Sequence, residues 1–404
     1  MLAAGAAVTL SGALLAVPGP AAATPGANGA LTMAVFGDSP YGTKPSDTAE
    51  YNATPAFIGT INADPDVSSV IHVGDIHSGK QFCTQAYDES VAQLWTRFED
   101  PLVYTPGDNE WSDCHKPAEG GGTYNKTTGQ IDDNAAATDE YAHGNPLANL
   151  ELVRSIFFPE PGRTLGGGGL RVQSQADHTD PAHPEDATYV ENVRWSRKGV
   201  VFVTIDVPGG SNNDADPWYK APLTAEQTDE RLARTAADLR WLDAAFAQAD
   251  QDGARGVVVI TQADMWDLDG GALADHHLTN YDSLVASLGQ HTNAYGGPVL
   301  LFNGDSHTYR SDNPFSAAAP CETEGTPPSP GAAVPTVPCP SGVADPHSPA
   351  SVSSTHPAMD VPTFHRVTVH GSTAPLEWLR LTVDPHGGAF GPFSWERVGT
   401  GLGS

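Results

Sequence analysis

The stretch L-T-M-A-V-F-G-D at residues 31–38 decides how the chain folds. A short, almost wholly apolar run, too brief for a helix, ends on Gly-Asp. That is the signature of a buried strand with a carboxylate at its carboxyl end. V-I-H-V-G-D at 70–75, L-V-Y-T-P-G-D at 102–108 and V-L-L-F-N-G-D at 299–305 repeat it, and V-V-V-I-T-Q-A-D at 257–264 ends similarly without glycine. Gly-Asp is no commoner than composition allows, so its placement carries the information. In open α/β sheets, ligands bind beyond the carboxyl ends of the strands, where side chains from distant positions converge. Several carboxylates in one crevice raise one another's pKa unless a cation neutralises them, so the pattern predicts a metal site.

Working outward, apolar runs predict strands at Leu31 to Phe36, Ser69 to Val73, Leu102 to Thr105, Val200 to Ile205, Val257 to Thr261 and Val299 to Phe302. Helical patterns lie between several of them. Thr84 can cap one that presents Tyr87, Val91, Leu94 and Phe98 on one face. Thr224 begins another, with Gln227 completing a capping-box pattern and Leu232, Leu239, Leu242 and Phe246 continuing it. A shorter helical stretch spans about 147–157. Strands alternating with helices give an α/β class with a largely parallel sheet. Phe364 to Val369, Trp378 to Val383 and Phe393 to Val398 are expected to close the fold as antiparallel strands. Residues 117–143 and 160–187 are rich in Gly, Asp and Thr and are expected to be irregular insertions beside the site.

The 404 residues carry 20 Lys+Arg and 49 Asp+Glu, a formal charge of −29. Such a surface repels phosphate backbones, which excludes nucleic acid as a natural partner. Residues 1–23 are uncharged, partly apolar and end in Ala21-Ala22-Ala23, which predicts a signal peptide, with 24–404 forming one domain and the mature protein secreted. No later run is long enough to span a membrane. The four cysteines predict two disulfides. Cys83 and Cys114 each follow a predicted strand of neighbouring rank, and Cys321 and Cys339 bracket the Pro-rich part of a loop at about 313–357. A four-Cys zinc site has no C-x-x-C spacing to support it.

These motifs, in this order, resemble the calcineurin-like metallophosphoesterases, whose site runs D-x-H, G-D, G-N-H-E, H and G-H-x-H. The resemblance spans about residues 31–310 and implies a β-sandwich core flanked by helices. It places Asp38 in the first motif, Asp75 as the carboxylate between two metals, Asp108 at the Asn ligand with Glu110 as the motif's acid, Gln262 at the lone His, and Asp305 and His307 in the last motif. Dividing the ligands as the family does, one metal would see Asp38, Asp75 and His307. A second would see Asp75, Asp108, Gln262 and Asp305, and this second set is the better furnished. Pro40, Asn109, Gln262 and Asp305 stand where the family has histidines. An oxygen-rich set suits one or two hard divalent cations, Mg²⁺, Mn²⁺ or Ca²⁺, better than Zn²⁺.

The resemblance implies hydrolysis of small-molecule phosphate mono- or diesters by a metal-bound water, with Asn109, His115 and His307 as the catalytic candidates. His115 is the nearest substitute for the imidazole missing at Asn109, and the adjacent His276-His277 offers another. Tyr41, Lys80, Lys116, Asn212 and Arg310 are substrate-binding candidates. His72 and His77 read equally well as packing residues, and Asn212-Asn213 as turn residues. No phosphate-binding G-x-x-x-x-G-K-[ST] loop and no G-x-S-x-G elbow occurs. A different class of reading stands beside the enzyme: a non-catalytic cation- or ligand-binding protein that keeps the fold but lacks the imidazoles. A hydrolase acting on another bond is the third.

Overall fold

The structure, a computed structural model, describes residues 29–137, 140–213, 216–267, 277–326, 335–342, 345–372 and 376–402. The predicted signal peptide, His276 and residues 327–334 of the Pro-rich loop lie outside the described residues.

Strand β1 (Leu31–Phe36), helix α1 (Ala49–Asn62), β2 (Val67–His72), α2 (Gln85–Trp95) and β3 (Pro101–Tyr104) make two successive β-α-β units. Their strands are parallel, with Phe36 opposite His72 and Ile71 opposite Val103. The hairpin of β4 (Thr123–Asn125) and β5 (Gln130–Asp132), α3 (Pro146–Phe157), and the two-residue strands β6 (Leu165–Gly166) and β7 (Gln173–Ser174) lead to β8 (Val193–Arg197) and β9 (Val200–Thr204). A single turn, α4 (Gly209–Asn213), with left-handed angles at Gly210, Ser211 and Asn212, precedes the long α5 (Ala225–Asp252). Then come β10 (Gly256–Ile260), α6 (Asp282–Tyr295), β11 (Val299–Asn303), β12 (Arg310–Asp312), β13 (Glu322–Glu324), β14 (Thr336–Pro338), α7 (Pro349–Val352), β15 (Phe364–Thr368), β16 (Glu377–Val383) and β17 (Phe393–Gly399).

One sheet has the order β17-β16-β1-β2-β3-β6, and the other β14-β13-β12-β15-β11-β10-β9-β8-β7. The period-2 alternation of a strand explains how they stack. Met33 and Val35 of β1 pack in one cluster with Phe202, Val258, Ile260, Leu300 and Phe302 of the second sheet. Ala34 and Phe36, on the other face, pack with Phe57, Ile58 and Ile61 of α1, Val91 and Trp95 of α2, and Val153 and Phe157 of α3. Val201, Val203, Val257 and Val259 turn outward onto Trp241, Leu242 and Phe246 of α5 and Leu284, Val285 and Leu288 of α6. The result is a β-sandwich with helices on both outer faces, in which every central strand is buried on both sides.

The strand runs fall where the sequence places them, and local chemistry fixes several ends. Thr84 caps α2 by accepting the Tyr87 N–H at 3.1 Å, and Thr224 caps α5 by accepting that of Gln227 at 3.2 Å. Only half of the predicted capping box forms. The Gln227 amide accepts the Trp218 N–H and donates to the Asn213 and Asp216 carbonyls, tying the preceding loop to the helix.

Other expectations change. Leu232 is 53% exposed and is not on the buried face of α5. α2 ends at Trp95, so Phe98 packs in the same core from the following turn. Segment 160–187 contributes an edge strand to each sheet, β6 to the first and β7 to the second. β15 is parallel to β11 and antiparallel to β12, whereas β16 and β17 are antiparallel throughout. α1 and α6 are additional elements. Pro55 interrupts the first in sequence, and the second carries a compact Leu284-Val285-Leu288 apolar set. Both expected disulfides are present: Cys83–Cys114 joins the loops after β2 and β3, and Cys321–Cys339 closes the β13–β14 hairpin. Such bonds persist in oxidising compartments. Among the described residues, no helix is long and apolar enough to cross a membrane.

A buried ion network locks the site end of the second sheet. Arg366 of β15 donates to Asp312 of β12 through Nε at 2.9 Å and Nη2 at 3.0 Å, and through Nη1 to Asp264 beyond β10. Burial lowers stability unless such charges are paired, and removing one partner leaves the others uncompensated. Arg366→Met is therefore expected to lose about 3–5 kcal/mol, read from urea unfolding. A loss below about 1 kcal/mol, the range of exposed pairs, would show that the network is not holding this end.

Candidate functional site

The two sheets present their strand ends to one crevice. Asp38, Asp75, Asp305 and His307 each adopt a left-handed backbone, with φ of 50°, 62°, 74° and 60°. This conformation is uncommon outside glycine and turns the chain sharply off the strand end. It brings one ligand atom each from Asp38, Asp75 and His307 within 4.8 Å of one another. Asp305 joins them by donating its N–H to Asp38 Oδ1 at 2.9 Å.

Glycine permits the closest approaches. A Cβ on Gly107 would lie 2.0 Å from Asp75 Oδ1. A Cβ on Gly209 would lie 2.6 Å from both Asp108 Oδ2 and Asp305 Oδ1. A side chain at either position would occupy the space these carboxylates share.

Hydrogen bonds fix these acids in place, Asp75 at both oxygens, since the Asn109 N–H also donates to its Oδ1 at 3.3 Å. Tyr41 donates its hydroxyl to Asp75 Oδ2 at 2.6 Å, and Asn109 donates Nδ2 to the same oxygen at 2.9 Å. Gln262 donates Nε2 to Asp108 Oδ1 at 3.2 Å while its Oε1 accepts the Gly209 N–H at 2.5 Å. Asp305 Oδ2 accepts the Asp264 N–H at 3.0 Å. Glu110 Oε1 accepts from Tyr104, Gly107 and Asp75, which fixes the turn after β3 against the turn after β2. Asp38 Oδ2, like Glu110 Oε2, is a buried carboxylate oxygen with no hydrogen-bond partner.

The electrostatics are those of crowded anions. Burial, then the charges of Asp108 and Glu110, hold Asp38 and Asp75 well above the usual carboxylate range. Burial, then the Asp108 charge, does the same to Asp305. Burial also raises Asp108, opposed by the Lys116 ammonium. His307 is pulled down to about 4 by burial, then by neighbouring His370. Its imidazole is therefore neutral at pH 7, the form in which it can ligate a metal. An unpartnered buried carboxylate oxygen, clustered acids and a neutral imidazole fit a divalent cation at Asp38, Asp75 and His307.

Among the described residues, this is the only group whose three ligand atoms meet so closely. The set expected to be better furnished is less ready. Gln262 spends its amide oxygen on Gly209, and Asp305 spends one carboxylate oxygen on Asp264.

The remaining candidates divide by environment. Tyr41 lies inside the cluster, with His307 Nε2 3.2 Å from its hydroxyl, and Asn109 braces both Tyr41 and Asp75. Lys116 lies at the rim, paired with Asp113 at 2.5 Å and Asp216 at 3.4 Å. His115 is buried, its Nδ1 accepting the Tyr219 N–H at 3.0 Å. Asn212 spends its side chain on Thr235 and Arg234. Lys80 is exposed. Arg310 pairs with Asp312 and the His347 carbonyl. His72 and His77 are fully buried, His72 against Ser39 and Gly74 and His77 against Ser78. His276 is outside the described residues, and His277 is described only as the start of a 3-10 turn.

Sequence reading missed Gly209, Asp113 and His370. His370 gives Nδ1 to Glu324 at 2.8 Å and leaves Nε2 without a partner. Its signal was available: V-T-V-H-G at 367–371 is another strand end capped by glycine.

No protein-family model matches the chain, and no curated protein does. Among solved structures, it is similar to a purple acid phosphatase, PPD1, from yellow lupin (Lupinus luteus) seeds. That likeness has a TM-score of 0.40 and 11% identity, over 94% of this chain and 53% of that one. It is also similar to the sulfate thiohydrolase SoxB of Thermus thermophilus in complex with glycerol, with a TM-score of 0.33 and 10% identity, over 91% and 56%. The chain spans about half the length of each, and neither likeness is close enough to bear on fold or chemistry.

Proposed function

We propose that the cluster holds one hard divalent cation at Asp38, Asp75 and His307, with Asp108 and Asp305 flanking a place for a second, and that the exported protein hydrolyses small phosphate esters there. The observation that carries this is that one ligand atom each from Asp38, Asp75 and His307 lie within 4.8 Å of one another, in a buried place where Asp38 also keeps one carboxylate oxygen without a hydrogen-bond partner. A bound cation lowers the pKa of a water ligand and neutralises phosphoryl charge. Asp38, Asp75 and His307 would hold it, and Tyr41 and Asn109 fix the Asp75 carboxylate, the Tyr41 hydroxyl and Asn109 Nδ2 on Oδ2 and the Asn109 N–H on Oδ1 at 3.3 Å. Lys116 adds the cationic group at the rim.

A second reading has its own observation. The Asn109 amide is committed to Asp75 and Tyr41, so this position offers a leaving group no proton donor. That favours a protein that binds the cation, or a ligand through it, without turnover.

Chelator-treated protein titrated calorimetrically with Mn²⁺, Mg²⁺ and Ca²⁺ is expected to bind at least one of them, and Asp75→Asn to weaken it at least about 100-fold, the upper end of what even indirect partners of a ligand contribute. Absence of binding to all three ions would remove the proposal. With the ion bound, a panel of phosphomonoesters and phosphodiesters is expected to show turnover that Asp75→Asn abolishes. Tight binding with no turnover supports the second reading.

Stability gives a readout independent of activity. Asp75 has a raised pKa in the fold, so it remains protonated there at pH values where the unfolded chain has already ionised. Its contribution is complete below the unfolded value near 4 and is lost as pH rises toward the folded value. In chelator, Asp75→Asn is therefore expected to gain stability relative to the wild type as pH rises above the unfolded value. Buried neutral histidines such as His72 are common to both proteins and cancel. Saturating Mn²⁺ is expected to reverse the ranking. Parallel urea midpoints across pH without metal would contradict the burial of charge.

A further inference from the structure

Beside the Asp38, Asp75 and His307 group, two carboxylate oxygens are left with nothing to bind. Asp108 Oδ1 accepts from Gln262 Nε2, and Asp305 Oδ2 accepts the Asp264 N–H. Among the described residues, no N–H or hydroxyl donates to Asp108 Oδ2 or to Asp305 Oδ1. Asp108 is more than nine-tenths buried, and a carboxylate oxygen so enclosed seldom lacks a donor.

Both free oxygens converge on Gly209. A Cβ there would lie 2.6 Å from each, so a single small cation can touch both. Other groups nearby are already engaged. Gln262 Oε1 accepts the Gly209 N–H, and Asp75 accepts the Asn109 N–H at Oδ1 and the Tyr41 hydroxyl and Asn109 Nδ2 at Oδ2. The Lys116 ammonium at the rim is held by Asp113 and Asp216. Two single oxygens are a thin shell for a hard metal ion, which takes about six or more oxygen ligands. An ammonium group asks for one acceptor per N–H and bonds best to ionised oxygens.

We infer that the substrate itself brings the second positive charge: it is a phosphate ester of a small amino alcohol, with its ammonium group on Asp108 Oδ2 and Asp305 Oδ1 and its phosphate toward Asp38, Asp75 and His307. The inference rests on the proposed metal-dependent hydrolysis and names the substrate class for it. Water supplies the oxygen that joins phosphorus, the P–O bond to the amino alcohol breaks, and the proton from water passes to the departing oxygen. The charge of the whole chain agrees. At a formal −29, it repels a plain phosphate ester more strongly than one whose ammonium offsets part of the phosphate charge.

Protein in saturating Mn²⁺, titrated calorimetrically with 2-aminoethylphosphonate and with ethylphosphonate, separates recognition from turnover, since neither probe has an ester bond. The aminated probe is expected to bind about tenfold tighter or more, the worth of a charge-assisted hydrogen bond. Mn²⁺ itself is expected to saturate at a single ion per chain. Asp305→Asn, which keeps the shape and removes the charge, is expected to bring the two probes within about twofold of each other. Gly209→Ala, which sets a methyl group against both oxygens, is expected to do the same. Because the readout is a ratio, a general loss of phosphonate affinity does not imitate it. Equal affinity for the two probes in the wild type overturns the inference, as does a preference unchanged in both variants. Uptake of a second Mn²⁺ also overturns it, and so does failure of both probes to bind below roughly 1 mM, the weak end of specific binding. Protein that takes up no Mn²⁺ at all overturns the metal reading, and this inference with it.

Discussion

Like charge confined at the ends of buried strands is the constraint on which the crevice depends. Asp38 and Asp75 are almost wholly buried, and Asp108 is only 7% exposed. Water cannot solvate such groups in place, and each makes the next harder to ionise. The structure contains two partial remedies. Backbone and side-chain donors satisfy one edge of most of these carboxylates, and Lys116 places positive charge near Asp108 through its pair with Asp113. Neither reaches Asp38 Oδ2. The interior is therefore complete in its apolar packing and incomplete in its charge, a deficit that the proposed cation would relieve.

The fold supplies the convergence and the loops supply the chemistry. β1, β2 and β3 belong to one sheet, and β10 and β11 to the other. A site at their common end exists only because the sandwich aligns both sets of carboxyl ends. Cys83–Cys114 then joins the two first-sheet loops that carry Asp75 and Asp108. Arg366 performs the corresponding task for the second sheet by clamping Asp264, whose N–H holds Asp305. Both devices sit behind the acids and not among them, so the ligand geometry is held by groups that would not touch a substrate.

Much of this was legible in the sequence because it is local. A strand ending in Gly-Asp, a Thr three residues before the N–H it caps, and cysteines bracketing a Pro-rich run are all short-range signals. The acids could be named because glycine beside aspartate at a strand end has few other uses in a buried context. Direction of pairing was harder to read, as β15 shows: its apolar run fits either neighbour, and only the tertiary fold sets it parallel to β11. Leu232 shows the limit of periodicity, since a 28-residue helix outruns the core that covers it. Within the site, hydrogen-bond allocation was not legible. Nothing in T-Q-A-D says that the Gln262 oxygen turns to Gly209, 53 residues away.

That allocation bears on Asn109 and Gln262, which stand where the resemblance expects histidines. An imidazole can ligate, donate and accept, whereas Asn109 here donates to Asp75 and Tyr41 and Gln262 bridges Asp108 to Gly209. Both amides have become braces for acids. The consequence is a centre whose ligand atoms are carboxylate oxygens plus one imidazole, His307, with the rest of the shell devoted to aiming them. Such a centre favours cations that accept oxygen ligands and several waters. With the amides of Asn109 and Gln262 committed to their neighbours, the Asp38, Asp75 and His307 group would be left to hold the proposed cation, so binding and turnover are separable in the proposal.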